Sequence, residues 1–153
     1  MTRTLSTVFC ATLLVSAVAL SGCNSTPMGQ TAPMMSGQSF RATLSGAAEV
    51  PANASGGNGA LEAKFDKASN VLTYKLTYAG LTGPATMAHF HGPAAPGTNA
   101  GVVVPIANPT SPIAGQATLT AAQAADLMDG KWYVNVHTAQ NPGGEIRGQV
   151  LAN

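Results

Sequence analysis

Apolar and polar positions alternate along most of the chain from Phe40 onwards. In "FRATLSG" the apolar residues Phe40, Ala42 and Leu44 are separated by single polar residues, and the same period of two recurs in "ALEAKF" and "VLTYKLTYAG". This period places apolar side chains on one face of a strand and polar side chains on the other. Segments rich in turn-forming residues, "ANASGGNG" and "DKASN", separate the three runs. The pattern predicts half-buried antiparallel strands.

Two further segments complete the predicted set of elements. "TAAQAADLMDG" offers Thr120 as a helix N-cap, Gln123 as its capping-box partner and Gly130 at the C-terminal end. "GVVVPIA" reads as a short apolar strand whose proline favours a sheet edge. The expected fold is therefore all-β, an antiparallel β-sandwich or barrel with one short helix.

The three histidines of the chain fall in two of the predicted strands. If "MAHFH" is a strand, Phe90 enters the core, and His89 and His91 point to the opposite face. In "WYVNVHT" the apolar face carries Trp132, and His137 lies on the other face. All three imidazoles are thus predicted on polar faces, away from their apolar neighbours.

The segment "HTAQNPGGEIRGQV" predicts a hairpin that turns at Asn-Pro-Gly-Gly. If His137 lies opposite Glu145 across this hairpin, then Asn135 lies opposite Arg147. The two strands would then share a polar strip of His, Glu, Asn and Arg.

A His-x-His pair with a third histidine on another strand is a candidate metal site. Neutral imidazole binds Zn(II), Cu(II) and Ni(II), and three such ligands leave a coordination position open. We expect Glu145 to orient a ligand ring, with Asn135 and Arg147 around the site. Copper is the expected ion of this histidine site and zinc the alternative. Met87 shares the face of His89, and thioether sulfur favours Cu(I), but a few methionines carry little weight. The competing interpretation is three polar histidines that bind no metal.

The first residues predict export and lipid attachment. Arg3 precedes an apolar run, which ends in "LSGC" at Cys23 and resembles the bacterial lipobox. This pattern predicts a lipoprotein signal peptide at 1–22, a flexible tether at 23–38 that follows a lipidated Cys23, and a folded domain at 39–152. The expected location is the bacterial cell envelope, at the outer membrane facing the periplasm or the cell surface.

Composition removes several classes of function. Only 8% of the residues are charged and the formal net charge is +1, so we expect no nucleic-acid partner. Cys10 would leave with the signal peptide and Cys23 would carry lipid, so the mature chain has no disulfide. There is also no Gly-x-Ser-x-Gly motif and no free thiol to act as a nucleophile. We therefore assign no catalytic residue.

The same segments resemble the CHRD (chordin) domain family. The resemblance runs from "FRATLSGAAEVP" through "AHFHGPA" to "YVNVHT" and "NPGGEIRG", and covers about three-quarters of the chain. It implies an extracytoplasmic all-β domain, which in bacteria occurs in secreted or lipid-anchored proteins. The family brings no set of catalytic residues with it.

Three functions remain open at this point. The first is a lipid-anchored binding module with a copper site at His89, His91 and His137. The second is a metal-free adhesion domain with an extracytoplasmic protein partner. The third is a copper-dependent redox enzyme of the superoxide dismutase type, a hypothesis that rests on fold-level analogy. We expect a binding module rather than an enzyme.

Overall fold

A computed structural model describes residues 37–153 of the chain. The predicted signal peptide, Cys23 and most of the tether lie outside the described residues. Within them the structure has eight β-strands, a short 3-10 turn at Gly46–Ala48 and one α-helix, α1 (Ala121–Met128). The strands are β1 (Gly37–Ser45), β2 (Asn58–Asp66), β3 (Val71–Ala79), β4 (Ala85–His91), β5 (Val102–Pro105), β6 (Ile113–Thr118), β7 (Trp132–Thr138) and β8 (Ile146–Ala152).

All eight strands belong to one antiparallel sheet with the order β5-β4-β7-β8-β1-β2-β3-β6. The sheet is nearly closed and barrel-like, with β5 and β6 at its two edges. This confirms the predicted all-β class, and β5 is the proline-containing edge strand that the sequence indicated. No helix within residues 37–153 is long and apolar enough to cross a membrane.

One hydrophobic core lies inside the curved sheet, and it contains the apolar residues that the alternating pattern placed on the inner face. Phe40 and Leu44 of β1 are buried, and so are the inward-facing residues of β2 and β3. On β4 and β7, Phe90 and Trp132 are fully buried and their ring centroids lie 5.9 Å apart. The predicted strand phases are therefore confirmed.

The helix begins and ends where its capping residues predict. The Thr120 side chain accepts from the backbone N–H of Gln123, and the Gln123 side chain accepts from the backbone N–H of Thr120. Asp129 is the C-cap, and Gly130 follows it with a positive φ of 69°. The first strand differs slightly from the prediction: β1 begins at Gly37, so residues 37 and 38 belong to the domain and not to the tether.

The sheet order makes β4 and β7 neighbours, which the sequence alone did not establish. Their register pairs Met87 with His137, His89 with Asn135, and His91 with Tyr133. The side chains of each pair lie on the same face of the sheet, so this register brings all three histidines together on the face opposite the core.

That opposite face is more buried than the prediction of half-buried strands suggests. Every residue of β7 is buried, including the polar Asn135 and His137. The reason is that the loops at 92–101 and 139–145 lie over this face and bond to it: the carbonyls of Ala100 and Pro142 each accept from a histidine. The histidine face is therefore a covered polar layer.

Candidate metal centre

The three histidines form one cluster at the β4–β7 pair. His89, His91 and His137 each offer one ring nitrogen, and these three nitrogens lie within 4.8 Å of one another. His91 and His137 are 8% and 6% exposed, whereas His89 is only partly buried. Met87, beside His89 on β4, is 45% exposed. The cluster thus has a buried side and a side that opens towards solvent.

Backbone carbonyls fix the orientation of two of the rings. Nδ1 of His91 lies 2.9 Å from the carbonyl oxygen of Ala100, and Nδ1 of His137 lies 3.0 Å from that of Pro142. A carbonyl oxygen only accepts, so in each ring Nδ1 donates its N–H. In the neutral ring Nε2 then carries a free lone pair, which is the form that ligates a metal.

The free nitrogens point towards each other and towards an amide oxygen. Nε2 of His91 lies 3.1 Å from Oδ1 of Asn135, and Nε2 of His137 lies 3.0 Å from the same oxygen. Nδ1 of His89 lies 3.2 Å from Nε2 of His137. One nitrogen from each of the three rings and the Asn135 oxygen therefore converge on one small volume.

Burial keeps two of these imidazoles neutral. It lowers the pKa of His89 below the ordinary value of 6.5, and the nearby His137 and His91 rings lower it further. Burial also lowers the pKa of His137, an effect that its bond to the Pro142 carbonyl opposes and the His91 ring reinforces. The lowered pKa values favour the unprotonated rings that metal ligation requires.

An aromatic and cationic stack supports His91 from behind. The His91 ring lies parallel to the Tyr133 ring at 4.7 Å between centroids, and the Arg147 guanidinium lies 3.4 Å from the Tyr133 centroid on β7. Arg147 also donates to Oδ1 of Asn99 and to the carbonyl of Thr98. This stack holds His91 and the loop that supplies its carbonyl partner.

The predicted pairing of polar residues across β7 and β8 is confirmed, but the role expected of Arg147 is not. Asn135 pairs with Arg147 across β7 and β8, as predicted. The guanidinium, however, stacks on Tyr133 and bonds to the 92–101 loop, so Arg147 acts on the histidines only through Tyr133 and that loop. Sequence reasoning missed Tyr133, although it alternates with Asn135 and His137 on the same face.

Glu145 is fully buried, and it does not orient a histidine as the sequence led us to expect. Its carboxylate accepts from Oγ of Ser55 at 2.7 Å, from the backbone N–H and hydroxyl of Thr82 at 2.7 Å each, and from the hydroxyl of Thr138. Burial alone would raise its pKa, but these hydrogen bonds lower it to about 2. The carbonyls of Ala100 and Pro142 orient the rings instead, and Glu145 joins β7 to the loops at 46–57 and 80–84.

Comparison with known proteins agrees with this architecture. The family model of the CHRD domain matches residues 40–150, which is most of the described chain. Comparisons with curated proteins and with solved structures found no match. On the strength of the family match and the all-β fold, the chain belongs to the CHRD domain family.

Proposed function

We propose that this CHRD domain is an extracytoplasmic binding module that holds a copper ion at His89, His91 and His137, with zinc as the alternative ion. The observation that carries the proposal is the convergence of the three imidazoles from two strands, with two of the rings turned by backbone carbonyls so that their Nε2 atoms face inward.

The Nε2 atoms of His91 and His137 face the Asn135 oxygen, an arrangement that is unfavourable between neutral side chains and that a cation would stabilise. His91 and His137 each use their single N–H on a carbonyl, so their Nε2 lone pairs face the lone pairs of Asn135 Oδ1. Buried acceptors that face each other without a proton between them repel. A metal ion at the centre of the cluster would accept all of these lone pairs together.

The distances allow an ion after a small adjustment. Ligands at roughly 2.0–2.1 Å from an ion are at most about 4 Å apart. The nitrogens lie within 4.8 Å of one another, so a movement of less than 1 Å would bring them into range. The partly exposed His89 can supply such a movement because it lies at the solvent side of the cluster.

Imidazole donors favour copper among the divalent ions of the first transition row. Affinity at nitrogen sites rises to Cu(II) and falls again at Zn(II), and both ions accept imidazole. Met87 pairs with His137 in the register and is exposed at the rim of the cluster, where its thioether is accessible to Cu(I). The resemblance of the segment ending at Cys23 to a lipobox supports attachment to the bacterial envelope, which is an oxidising setting.

The test is metal analysis of the full-length protein purified without a histidine tag. We expect copper or zinc at about one ion per chain, and calorimetric titration of the metal-stripped protein with Cu(II) and Zn(II) should show one saturable site. Substitution of any one of the three histidines by Ala should weaken binding at least tenfold. Gln140→Ala, at an exposed position in the loop next to the site, is the control and should bind as the wild type does.

A protein that binds neither ion, and that keeps its stability when all three histidines are replaced by Ala, would overturn the proposal. The domain would then be a metal-free interaction module in which the histidines serve only the packing of the covered face.

A further inference from the structure

A buried carboxylate lies behind the histidine cluster and has no role in the site described so far. Glu49 follows the 3-10 turn at Gly46–Ala48 and is only 6% exposed. Its Oε1 atom has no hydrogen-bond partner among residues 37–153. Burial raises the pKa of Glu49, while the charge of Arg147 and the side chain of Asn135 lower it. A buried carboxylate is costly, so its position beside Asn135 calls for a reason.

Gly144 makes room for this carboxylate. It has a φ of 132°, and a Cβ atom built on it would collide with Oε1 of Glu49 and lie 2.9 Å from Nδ2 of Asn135. The second glycine of the Asn-Pro-Gly-Gly turn therefore leaves the space in which Glu49 approaches the amide nitrogen of Asn135.

The carboxylate determines which way the Asn135 amide faces. The Asn135 amide presents Nδ2 to the space beside Gly144 that Glu49 occupies, and its oxygen to the other side, and a carboxylate oxygen can accept from that amide N–H. On that other side Oδ1 lies 3.1 Å from Nε2 of His91 and 3.0 Å from Nε2 of His137. The reversed amide would set its oxygen against the carboxylate.

We infer that Oδ1 of Asn135 is a fourth ligand of the proposed metal ion and that Glu49 is a positioning residue that holds the amide in its ligating orientation. This inference rests on the proposed function. The sequence suggested that Asn135 lies around the site without touching the ion; this inference makes Asn135 a direct ligand.

Three of the six separations among these four atoms already match those of ligands around one ion. Ligands at roughly 2.0–2.1 Å from one ion are separated by about 2.9 Å at right angles and by about 3.4 Å in a tetrahedron. The two contacts of Oδ1, at 3.0 and 3.1 Å, and the contact between His89 Nδ1 and His137 Nε2, at 3.2 Å, lie between these limits. Three nitrogens and one oxygen suit Cu(II) or Zn(II) better than Cu(I).

The experiment measures Cu(II) and Zn(II) affinity of the full-length protein and the electron paramagnetic resonance spectrum of its Cu(II) form. Asn135→Ala should weaken binding of both ions at least tenfold and change the copper hyperfine coupling, because an oxygen ligand is lost. Glu49→Gln should weaken binding less, because the Gln amide can present either end to Asn135. Asn58→Ala and Glu62→Gln are exposed controls and should leave affinity and spectrum unchanged.

Two double variants separate coordination from a merely structural effect. In the Asn135→Ala background, Glu49→Gln should cause no further loss, since Glu49 acts through Asn135. Glu49→Gln combined with Asn135→Asp places an amide donor opposite a carboxylate and keeps an oxygen at the histidine side, so this double variant should bind both ions. It tests the inference even if Asn135→Ala fails to fold.

Wild-type affinity and an unchanged copper spectrum in Asn135→Ala would overturn the inference and leave the three-histidine site intact. Failure of the double variant to bind although it folds would also overturn it. A wild-type protein that binds neither ion would overturn the proposed function and this inference together.

Discussion

Nδ1 of His89 lies 3.2 Å from Nε2 of His137, although the two residues are 48 positions apart in the chain. The contact arises because β4 and β7 are neighbours in the sheet and their register sets His89 beside Asn135, two positions along each strand from the Met87–His137 pair and on the same face. Two neighbouring imidazoles repel each other when both are protonated, because the charge of each lowers the proton affinity of the other. The contact thus favours the unprotonated rings that a metal needs.

Metal binding should persist to pH values below the ordinary titration of histidine. The pKa values of His89 and His137 are lowered from 6.5, so protons compete with the metal for these two rings at lower pH than they would for ordinary histidines. We expect the affinity for Zn(II), measured by competition with a chelator of known pH dependence, to fall less between pH 7.5 and 6.5 than between pH 6.5 and 5.5. A loss between pH 7.5 and 6.5 as large as that between pH 6.5 and 5.5 would contradict this expectation.

The Glu145 carboxylate should make the domain sensitive to acid. Its pKa is about 2 in the folded protein against 4.5 for an ordinary glutamate, so the unfolded chain takes up the proton first as the pH falls. Its contribution, about 3 kcal/mol, is complete above pH 4.5 and is lost as the pH falls towards 2. Denaturant titrations of wild type and Glu145→Gln should differ by about that amount at pH 7 and by much less at pH 3.

Glu62→Gln is the matched control for this series, because Glu62 is exposed on β2 opposite Lys75. Its unfolding free energy should follow that of the wild type within about 0.5 kcal/mol at both pH values. An equal difference between wild type and Glu145→Gln at pH 7 and pH 3 would show that the loss is one of packing and not of charge.

The strands could be predicted from the sequence because their signal is local. The alternation of apolar and polar residues shows within each strand which side chains face the core. The predicted burial of Phe40, Phe90 and Trp132 is therefore confirmed. The capping box at Thr120 is also encoded within four residues. The strand order is not local, and only the placement of β7 between β4 and β8 brings His137 beside His89.

The parts of the site that the sequence did not reveal depend on loops that fold back over the sheet. Ala100 and Pro142 orient the histidines through backbone carbonyls, a function that any residue type can supply and that leaves no mark in the sequence. Glu49 lies in a loop far from β7 in the chain, so its approach to Asn135 had no local signal. For Asn135 a signal existed, because it alternates with His137 on one face of an otherwise apolar strand.

Trp132 should contribute strongly to stability. It is fully buried and packs against Phe90, and its indole nitrogen has no hydrogen-bond partner within the described residues. Trp132→Ala should lower the unfolding free energy by roughly 3–5 kcal/mol, the usual cost of deleting a buried large aromatic side chain. Trp132 is the only tryptophan of the chain, so the native fluorescence maximum should be blue-shifted and move to longer wavelength on unfolding. A native spectrum typical of full exposure to water would contradict the packing.

The last prediction concerns Cys23, which lies outside the described residues. The "LSGC" segment ends an apolar run that follows Arg3, and a lipobox requires the cysteine thiol as the site of lipid attachment. In a bacterial host, Cys23→Ala should therefore abolish incorporation of labelled fatty acid, block normal processing and release the protein from the lipid-dependent membrane fraction. Cys10→Ala is the matched control, because Cys10 lies within the predicted signal peptide, and it should be processed and labelled like the wild type. Since residues 37–153 contain no cysteine, neither substitution should alter the melting temperature of the folded domain. Equal labelling of Cys23→Ala and the wild type would show that the segment is not a lipobox, and it would not bear on the proposed metal site.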